Sequence, residues 1–427
     1  MSQQSARPLR ALPRPLRPFR HRQYRLLAAS MAASLLGSGV WLVAVVYQVI
    51  ALGGGPSELS VVATAFSVGL LASVLLGGVA ADRLPKRGLM IGVEAVKTVG
   101  AGVVALLAVT GALQLWQLAA ISLVLGAAEA FFFPAYSALL PTLLPADELL
   151  AANGVEGALR PIAQRALGPA LAGLLVGAAA PGVAVLVAAG AYLLALVALL
   201  GMRPVAVPPA DGGSPLRDLR EGFAYLLRTG WLFATLAFAT VYVLLIIGPI
   251  EVLLPFAVRD QAGGGPSEFA TVLAGYGVGG AVGSIAVASM RLPRRYLTVM
   301  LMCWGAGVLP LAVIGLTDQV WLMTAASFVV GVTDAAAMVI WGTLLQRRVP
   351  TRLLGRVSSL DFFVSLAFMP VSMAIAGPVG EAIGVPLTFV LVATIPVFLA
   401  LAALLAWRLP RDEIAHPLDA AAAPAGR

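Results

Sequence analysis

The amino-acid sequence predicts an all-α membrane protein, in which twelve transmembrane helices form two pseudo-symmetric six-helix bundles. The first reason is composition. The 427 residues are 60% hydrophobic and only 11% charged, against roughly 25% charged residues in soluble domains. The second reason is that apolar runs of about 18 or more residues, each long enough to cross a hydrocarbon core of about 30 Å, recur along the chain. The third is an internal repeat.

The repeat is visible as two copies of the phrase Gly-Gly-Gly-Pro-Ser-Glu, at 53–58 and 263–268. Each copy is followed, after a long apolar stretch, by Arg-Leu-Pro and two basic residues, at 83–87 and 291–295. The copies are 210 and 208 residues apart, so the second half of the chain repeats the first. Internal symmetry of this kind is typical of secondary transporters, whose substrate site lies between the repeats.

Counting the apolar runs gives the domain organisation. The predicted spans are 26–52, 59–81, 88–109, 115–140, 154–178 and 181–202 in the first bundle, and 231–257, 269–290, 296–316, 320–344, 357–377 and 385–407 in the second. The bundles are therefore expected at 26–202 and 231–408, with a disordered basic tail at 1–25, a linker with an amphipathic helix at 203–230, and a second tail at 409–427. The single cysteine, Cys303, falls inside a span, so no intramolecular disulfide is possible.

The distribution of basic residues predicts the orientation. Arginines and lysines cluster before the first span and in alternate loops, whereas the opposite loops hold only Arg259. By the positive-inside rule both termini are expected in the cytoplasm, with the chain in the plasma (inner) membrane. The net charge of +8 is then explained by topology and by attraction to anionic lipid headgroups, and nucleic acid is not expected as a partner. A monomer is expected.

Rare acids inside the predicted spans are the candidates for proton coupling or substrate binding. Glu129 in the fourth span and Asp334 in the tenth are 205 residues apart, and Glu251 in the seventh span is a third candidate. A charge at the bilayer centre costs about 2.5–3.5 kcal/mol on insertion scales, so such acids usually face a cavity or a partner. Both histidines lie in the tails, so a relay across the membrane would have to use carboxylates. The alternative for each acid is a structural hydrogen bond to a neighbouring helix.

Aromatic and amide residues at similar depth are candidates for a cavity lining that would suit amphipathic, cationic organic molecules. The candidates are Trp41, Tyr47, Gln48, Tyr136, Tyr242, Tyr276 and Trp341. Most aromatics in a membrane bundle instead serve packing or the interfacial belt, and we expect only two or three of these to touch substrate. Small residues at four-residue spacing predict close helix packing. They are Gly168, Pro169 and Gly173 in the fifth span and Gly275, Gly279 and Gly283 in the eighth.

Several motifs resemble those of the major facilitator superfamily. Gly77-Gly78-Val-Ala-Ala-Asp82-Arg83-Leu-Pro-Lys86-Arg87 resembles its signature loop, and Glu94-x-x-Lys97 is similar to the acidic-x-x-basic pair that often follows. The stretch 133–141, with Asn153 and 168–173, is similar to the branch of enterobactin exporters and macrolide-efflux proteins. The resemblance covers nearly the whole chain and implies a major facilitator fold that exports small molecules by alternating access as a proton antiporter.

This sequence also departs from the family pattern. Gln164 and Ala172 replace two glycines of the proton-antiporter signature, and Met290 stands where the second signature loop would carry an Asp. The fourth span lacks the arginine found in many drug antiporters. These departures bear on proton coupling more than on the fold.

Charged residues near the basic loops predict a cytoplasmic gate between the halves. Asp361 is expected to pair with the loop 82–87, and Glu156 with the loop 291–295, closing that side. The alternatives are that the basic residues are topology anchors and that Glu156 pairs locally with Arg160. The gate candidates are Asp82, Arg83, Lys86, Arg87, Glu94, Lys97, Glu156, Arg160, Arg291, Arg294, Arg295 and Asp361.

The function predicted is secondary export of hydrophobic or amphipathic small molecules such as drugs, driven by a proton gradient and without a bound cofactor. The alternative within transport is a siderophore exporter or a lysophospholipid or lipid flippase. A membrane enzyme is disfavoured because metal-ligand spacings, a Gly-x-Ser-x-Gly elbow and a phosphate-binding loop are all missing from the sequence. A non-transporting sensor or scaffold would have no need of the buried acids.

Overall fold

The computed structural model describes residues 14–204, 223–290, 292–350 and 365–418, together with 353, 357, 360, 361 and 363. The tail segments 1–13 and 419–427 and most of the predicted linker lie outside these residues, although 223–228 are helical. The described chain is almost entirely helical.

The helices follow the repeat. The first half contains α1 (Arg22–Ala51), α2 (Pro56–Arg83), α3 (Lys86–Val109), α4 (Leu115–Leu143), α5 (146–178) and α6 (Pro181–Leu200). The second half contains α7 (Gly230–Gln261), α8 (Pro266–Ser289), α9 (Tyr296–Leu316), α10 (Val320–Arg348), α11 (Ser365–Ile383) and α12 (Val385–Ala406), and a short α13 (Leu409–Ala415) follows. Eleven of these helices, within the described residues, are long and apolar enough to cross a membrane. Apart from the short α13, the helix left out is α5, which contains Glu156, Arg160 and Arg165, and these charges lower its hydropathy.

The duplicated Gly-Gly-Gly-Pro-Ser-Glu phrase is a helix start. Gly53 and Gly263 take the left-handed φ values of +79° and +62° that glycine tolerates best, turning the chain out of the preceding helix. A proline is then the first residue of both α2 and α8. The capping glycine before it donates its N–H to the Glu three residues later, from Gly55 to Glu58 at 2.7 Å and from Gly265 to Glu268 at 2.8 Å. We call this end of the molecule the triple-glycine end, and the opposite end, where the 83–87 and 291–295 loops lie, the basic end.

Glycines set the packing inside each half. In the second half a Cβ on Gly279 or Gly283 of α8 would collide with the main-chain oxygens of Phe328 or Val332 in α10, and Gly275 faces Thr324 there. In the first half α2 meets α4 in the same way, since Gly69 faces the carbonyl of Leu123. Small residues thus let the helix backbones touch where lipid provides no hydrophobic drive for association.

The two halves meet along α2 with α11 and α5 with α8. Near the triple-glycine end, Gly377 N–H donates to Ser60 Oγ at 2.8 Å, and Glu381 accepts from Ser57 N–H at 3.0 Å and Ser57 Oγ at 2.6 Å. On the other side of the molecule, Gly173 of α5 approaches Ala270 and Pro266 of α8. The hydrogen bonds that Ser57 and Ser60 make to α11 therefore join the halves toward the triple-glycine end.

Both described tails are anchored to their own half. Residues Arg14–Arg20, expected to be disordered, form a short 3₁₀ helix, because Arg20 Nη2 lies 2.6 Å from the buried carboxylate of Glu148. The first transmembrane helix also begins earlier than expected, at Arg22. At the other terminus, α13 inserts Glu413 at the start of α9, where the carboxylate accepts the N–H groups of Leu297 and Thr298 at 2.8 and 3.1 Å.

Candidate functional site

A buried ion cluster lies inside the first half. Lys97 of α3 places its Nζ 2.8 Å from Glu129 Oε2 of α4, 3.9 Å from Glu94 Oε1 and 3.0 Å from Ser34 Oγ of α1. Its ammonium also lies 4.6 Å from the centroid of the Tyr192 ring. Glu94 and Lys97 were predicted at the cytoplasmic gate, but both are buried within the bundle, because their i,i+3 spacing turns both side chains toward α1 and α4.

The equivalent acid of the second half has different partners. Asp334 of α10 accepts the hydroxyl of Tyr276 in α8 at 2.9 Å and that of Tyr242 in α7 at 3.5 Å. The Trp304 indole of α9 is a third hydrogen-bond donor to this carboxylate. Four helices thus surround Asp334, which places it in the bundle interior and not toward lipid. Its three hydrogen-bonding partners within the half are all neutral.

Two π-helical segments bring further charges to the centre. The π segment Arg160–Leu167 of α5 carries Arg165, and the segment Pro249–Leu253 of α7 carries Glu251. Each has a proline in its first two positions, and proline provides no N–H for the regular α-helical bond. Single-turn π segments occur frequently at functional sites.

Arg165 joins the two halves and was missed by the sequence analysis. Its guanidinium carbon lies 5.3 Å from the centroid of the Tyr276 ring, and its charge acts on Asp334 and Glu251. The side chain keeps exposed surface although it lies against Tyr276 of the other half. The signal available in the sequence was a second arginine in the fifth predicted span, five residues after Arg160, since an arginine inside a span is as costly as the acids we singled out.

The two gate acids, Asp361 and Glu156, have described partners within their own halves. Asp361 accepts the indole N–H of Trp341 at 3.0 Å, within its own half, and Glu156 lies 3.7 Å from Arg160 on the same helix. Arg87 donates to the main-chain oxygens of Leu199 and Leu200. The side chains of Asp82 and Arg83, and all of Arg291, lie outside the described residues. The gate therefore remains a prediction. It would apply to a state in which the two halves approach each other at the basic end.

The predicted lining aromatics have several roles. Tyr242 and Tyr276 bind Asp334, while Tyr47 packs against Phe269 of the other half with ring centroids 6.2 Å apart. Trp341 lies between Asp361 and Trp231. The others are buried in the first half: Trp41, Gln48 and Tyr136.

An apolar groove of about 550 Å³ lies apart from these charges. It is bounded by the end of α2 and by α3 and α4, with Leu89, Val96 and Phe131 among its lining residues. None of the candidate acids lines it, so we place the candidate site at the charged centre. No cluster of three or more His, Cys, Asp or Glu side chains that could hold a metal ion occurs in the described part of the chain.

Comparison with known proteins decides the family. The family model described as transmembrane secretion effector matches residues 14–424. The chain belongs to this family of major facilitator transporters. Macrolide efflux protein A of Streptococcus pyogenes is 24% identical over 386 residues, covering 87% of this chain and 93% of that protein. Multidrug efflux pump Tap of Mycolicibacterium fortuitum is 26% identical over 403 residues, covering 91% and 97%.

Solved structures show the same fold. The nucleoside transporter NupG superposes with a TM-score of 0.73 at 12% identity, covering 90% of this chain and 98% of that one. A bacterial homolog of the human lysosomal transporter Spinster, in an inward-facing and unoccupied conformation, gives a TM-score of 0.68 at 16% identity, covering 92% and 98%. The predicted major facilitator fold and the resemblance to macrolide-efflux proteins are confirmed. The protein is a multi-pass membrane transporter.

Proposed function

We propose that this transporter exports amphipathic, cationic small molecules by alternating access, in exchange for protons. The observation that carries this proposal is the environment of Asp334. Its carboxylate lies in the bundle interior, with only neutral hydrogen-bond donors from its own half. A carboxylate held in this way can take either a proton or the positive charge of a substrate, and this competition is the basis of antiport.

The cargo class follows from charge and from the relatives. The central site holds Asp334, Glu251 and Arg165, so two carboxylates face one guanidinium and favour a cargo with one positive charge. The aromatic rings of Tyr242, Tyr276 and Trp304 offer π faces to the apolar part of such a molecule. The relatives named macrolide and multidrug efflux proteins support drug-like cargo. An anionic siderophore or lysophospholipid would instead be repelled by the surplus negative charge of the two carboxylates.

The direction of transport rests on topology. The basic end carries the arginine and lysine clusters and both tails, so the positive-inside rule places it in the cytoplasm of a plasma-membrane protein. Export then begins with cargo that enters from the basic end and ends with release at the triple-glycine end. A monomer surrounded by membrane lipid suffices for this cycle.

The test uses purified protein in liposomes, with an imposed pH gradient and the lipophilic cation ethidium as cargo. We expect gradient-driven ethidium accumulation with the native protein and at least a tenfold lower rate with Asp334→Asn, which cannot exchange a proton. The matched control is Asp318→Asn, because Asp318 is an exposed acid in the loop between α9 and α10. Equal gradient-driven rates for Asp334→Asn and the native protein would exclude Asp334 as the coupling residue.

A further inference from the structure

The two halves neutralise their equivalent acids in different ways. In the first half, Glu129 has the ammonium of Lys97 at 2.8 Å, a cation of the same half. In the second half Trp304, which follows Lys97 by 207 residues, stands near the repeat-equivalent position and offers only an indole N–H to Asp334. The acid of the second half thus lacks a cation of its own in the described structure around it. The repeat is symmetric in fold and asymmetric in charge.

The compensating cation comes from the other half. Arg165 of α5 stacks on Tyr276 of α8, and Tyr276 donates its hydroxyl to Asp334 at 2.9 Å. The close approach depends on Gly277, where a Cβ would lie 3.0 Å from the main-chain oxygen of Arg165. Glu251 of α7 is also close enough to Arg165 for the two opposite charges to attract each other. A single guanidinium therefore serves two carboxylates across the interface between α5 and α8.

We propose that Arg165 is the cross-half counter-ion of the second-half acids, and that it sets the charge of the cargo and couples cargo binding to separation of α5 from α8. With Asp334 and Glu251 both ionised, the site has one surplus negative charge, which selects a monocation. A cargo cation that neutralises this charge competes with Arg165 for the carboxylates and weakens the only described charge interaction across this interface. This inference rests on the proposed function, since it assigns the coupling device to the same site.

The other titratable groups near Arg165 are accounted for. On its own helix, Arg160 lies closer to the basic end and pairs with Glu156 at 3.7 Å. From the packed helices, Tyr276 of α8, Asp334 of α10 and Glu251 of α7 act on it. On the opposite side, α1 contacts the π segment through Gly39, which approaches the main chain of Gln164. The competing explanation is that Arg165 only cements α5 to α8 through the Tyr276 ring.

The first experiment measures equilibrium binding of ethidium to the full-length protein in detergent at constant pH. Arg165→Gln removes the competing cation, so ethidium should bind about tenfold more tightly, equivalent to about 1.4 kcal/mol. The double variant Arg165→Gln/Glu251→Gln restores one surplus negative charge, and its affinity should return to within threefold of the native value. Arg165→Lys keeps the charge and should also bind with near-native affinity, which provides a variant closer to native should the Gln variant fold poorly.

Three results would overturn the inference. They are an affinity of Arg165→Gln equal to or below the native value, a double variant that fails to reverse the gain, and an absence of ethidium binding to every form. If Arg165 only held α5 and α8 together, the first or the second of these results would be observed. The binding measurement needs no gradient, so it separates this inference from proton antiport. A native protein that binds ethidium with the predicted dependence on residue 165 but does not move it with a pH gradient would contradict the proposed function alone.

Discussion

At the scale of single residues, Lys97 of α3 has charged and polar partners drawn from other helices. Lys97 is 3% exposed and Glu94 is fully buried, where an unpaired ion would be prohibitively costly. Ser34 bridges the two by donating to Glu94 Oε1 at 2.7 Å while accepting from Lys97. The cluster of α1, α3 and α4 is therefore held together by one ammonium, and we interpret it as the fixed counterpart of the exchangeable site around Asp334.

This interpretation predicts the effect of removing the ammonium. Lys97→Met leaves Glu94 buried without its cation and removes the ion-pair partner of the half-buried Glu129, which should lower the free energy of unfolding by about 3–5 kcal/mol, as for other broken buried pairs. The double variant Lys97→Met/Glu129→Gln removes one stranded charge and should recover at least half of the loss. Denaturant unfolding of the detergent-solubilised protein measures both. A single variant as stable as the native protein would show that Lys97 does not neutralise the cluster.

At the scale of elements, short segments outside the bundles hold helix ends in place. The Glu413 carboxylate of α13 accepts two main-chain N–H groups and the Thr298 hydroxyl at 2.7 Å, so it caps α9 from a distant part of the chain. Arg348 at the end of α10 pairs with Asp412 at 2.5 Å and lies over the Trp231 ring of α7. A negative charge at a helix start also favours the helix dipole. The α13 segment thus ties α7, α9 and α10 together at the basic end.

Removing this cap should destabilise the second half locally. Glu413→Ala leaves two buried N–H groups without an acceptor, which should cost about 1–3 kcal/mol. Hydrogen exchange at Leu297 and Thr298 should accelerate, while exchange in the first half stays unchanged. Ile414→Ala is the matched control, because its side chain is 64% exposed. Protection at the start of α9 that survives Glu413→Ala would refute the capping role.

At the scale of the whole molecule, the contacts between halves indicate which side is closed. The hydrogen bonds of Ser57 and Ser60 to α11 join the halves toward the triple-glycine end, while Asp361 and Glu156 near the basic end have partners in their own half. A transporter working by alternating access has to break the first set of contacts and make another. Gly377 lies at the tightest point of the first set, because a Cβ there would collide with the carbonyl of Pro56.

Gly377→Ala should therefore shift the protein toward a state that is open at the triple-glycine end. Spin labels on Ala112→Cys and Asp318→Cys, two exposed loop positions at that end of opposite halves, report their separation in a Cys303→Ala background. We expect Gly377→Ala to populate longer distances between the two labels than the labelled protein that keeps Gly377. Gly342→Ala is the control, since a Cβ there meets nothing within 4 Å. Unchanged distance distributions in Gly377→Ala would show that this contact does not control opening.

The sequence was sufficient to predict twelve membrane helices, the internal repeat and the resemblance to the major facilitator superfamily. Long apolar runs, charged residues inside them and repeated loop segments are all features of local sequence. They can therefore be recognised without knowing how the helices pack. The same cost identified Glu129, Asp334 and Glu251, since an acid in an apolar helix is conspicuous wherever the helix packs. The partners emerged only from the fold: Lys97 pairs with Glu129 within one half, and Arg165 of that half lies over the Tyr276 ring, whose hydroxyl binds Asp334 in the other. Pairing depends on helix rotation and on close glycine contacts between distant segments, and neither is encoded within any one span.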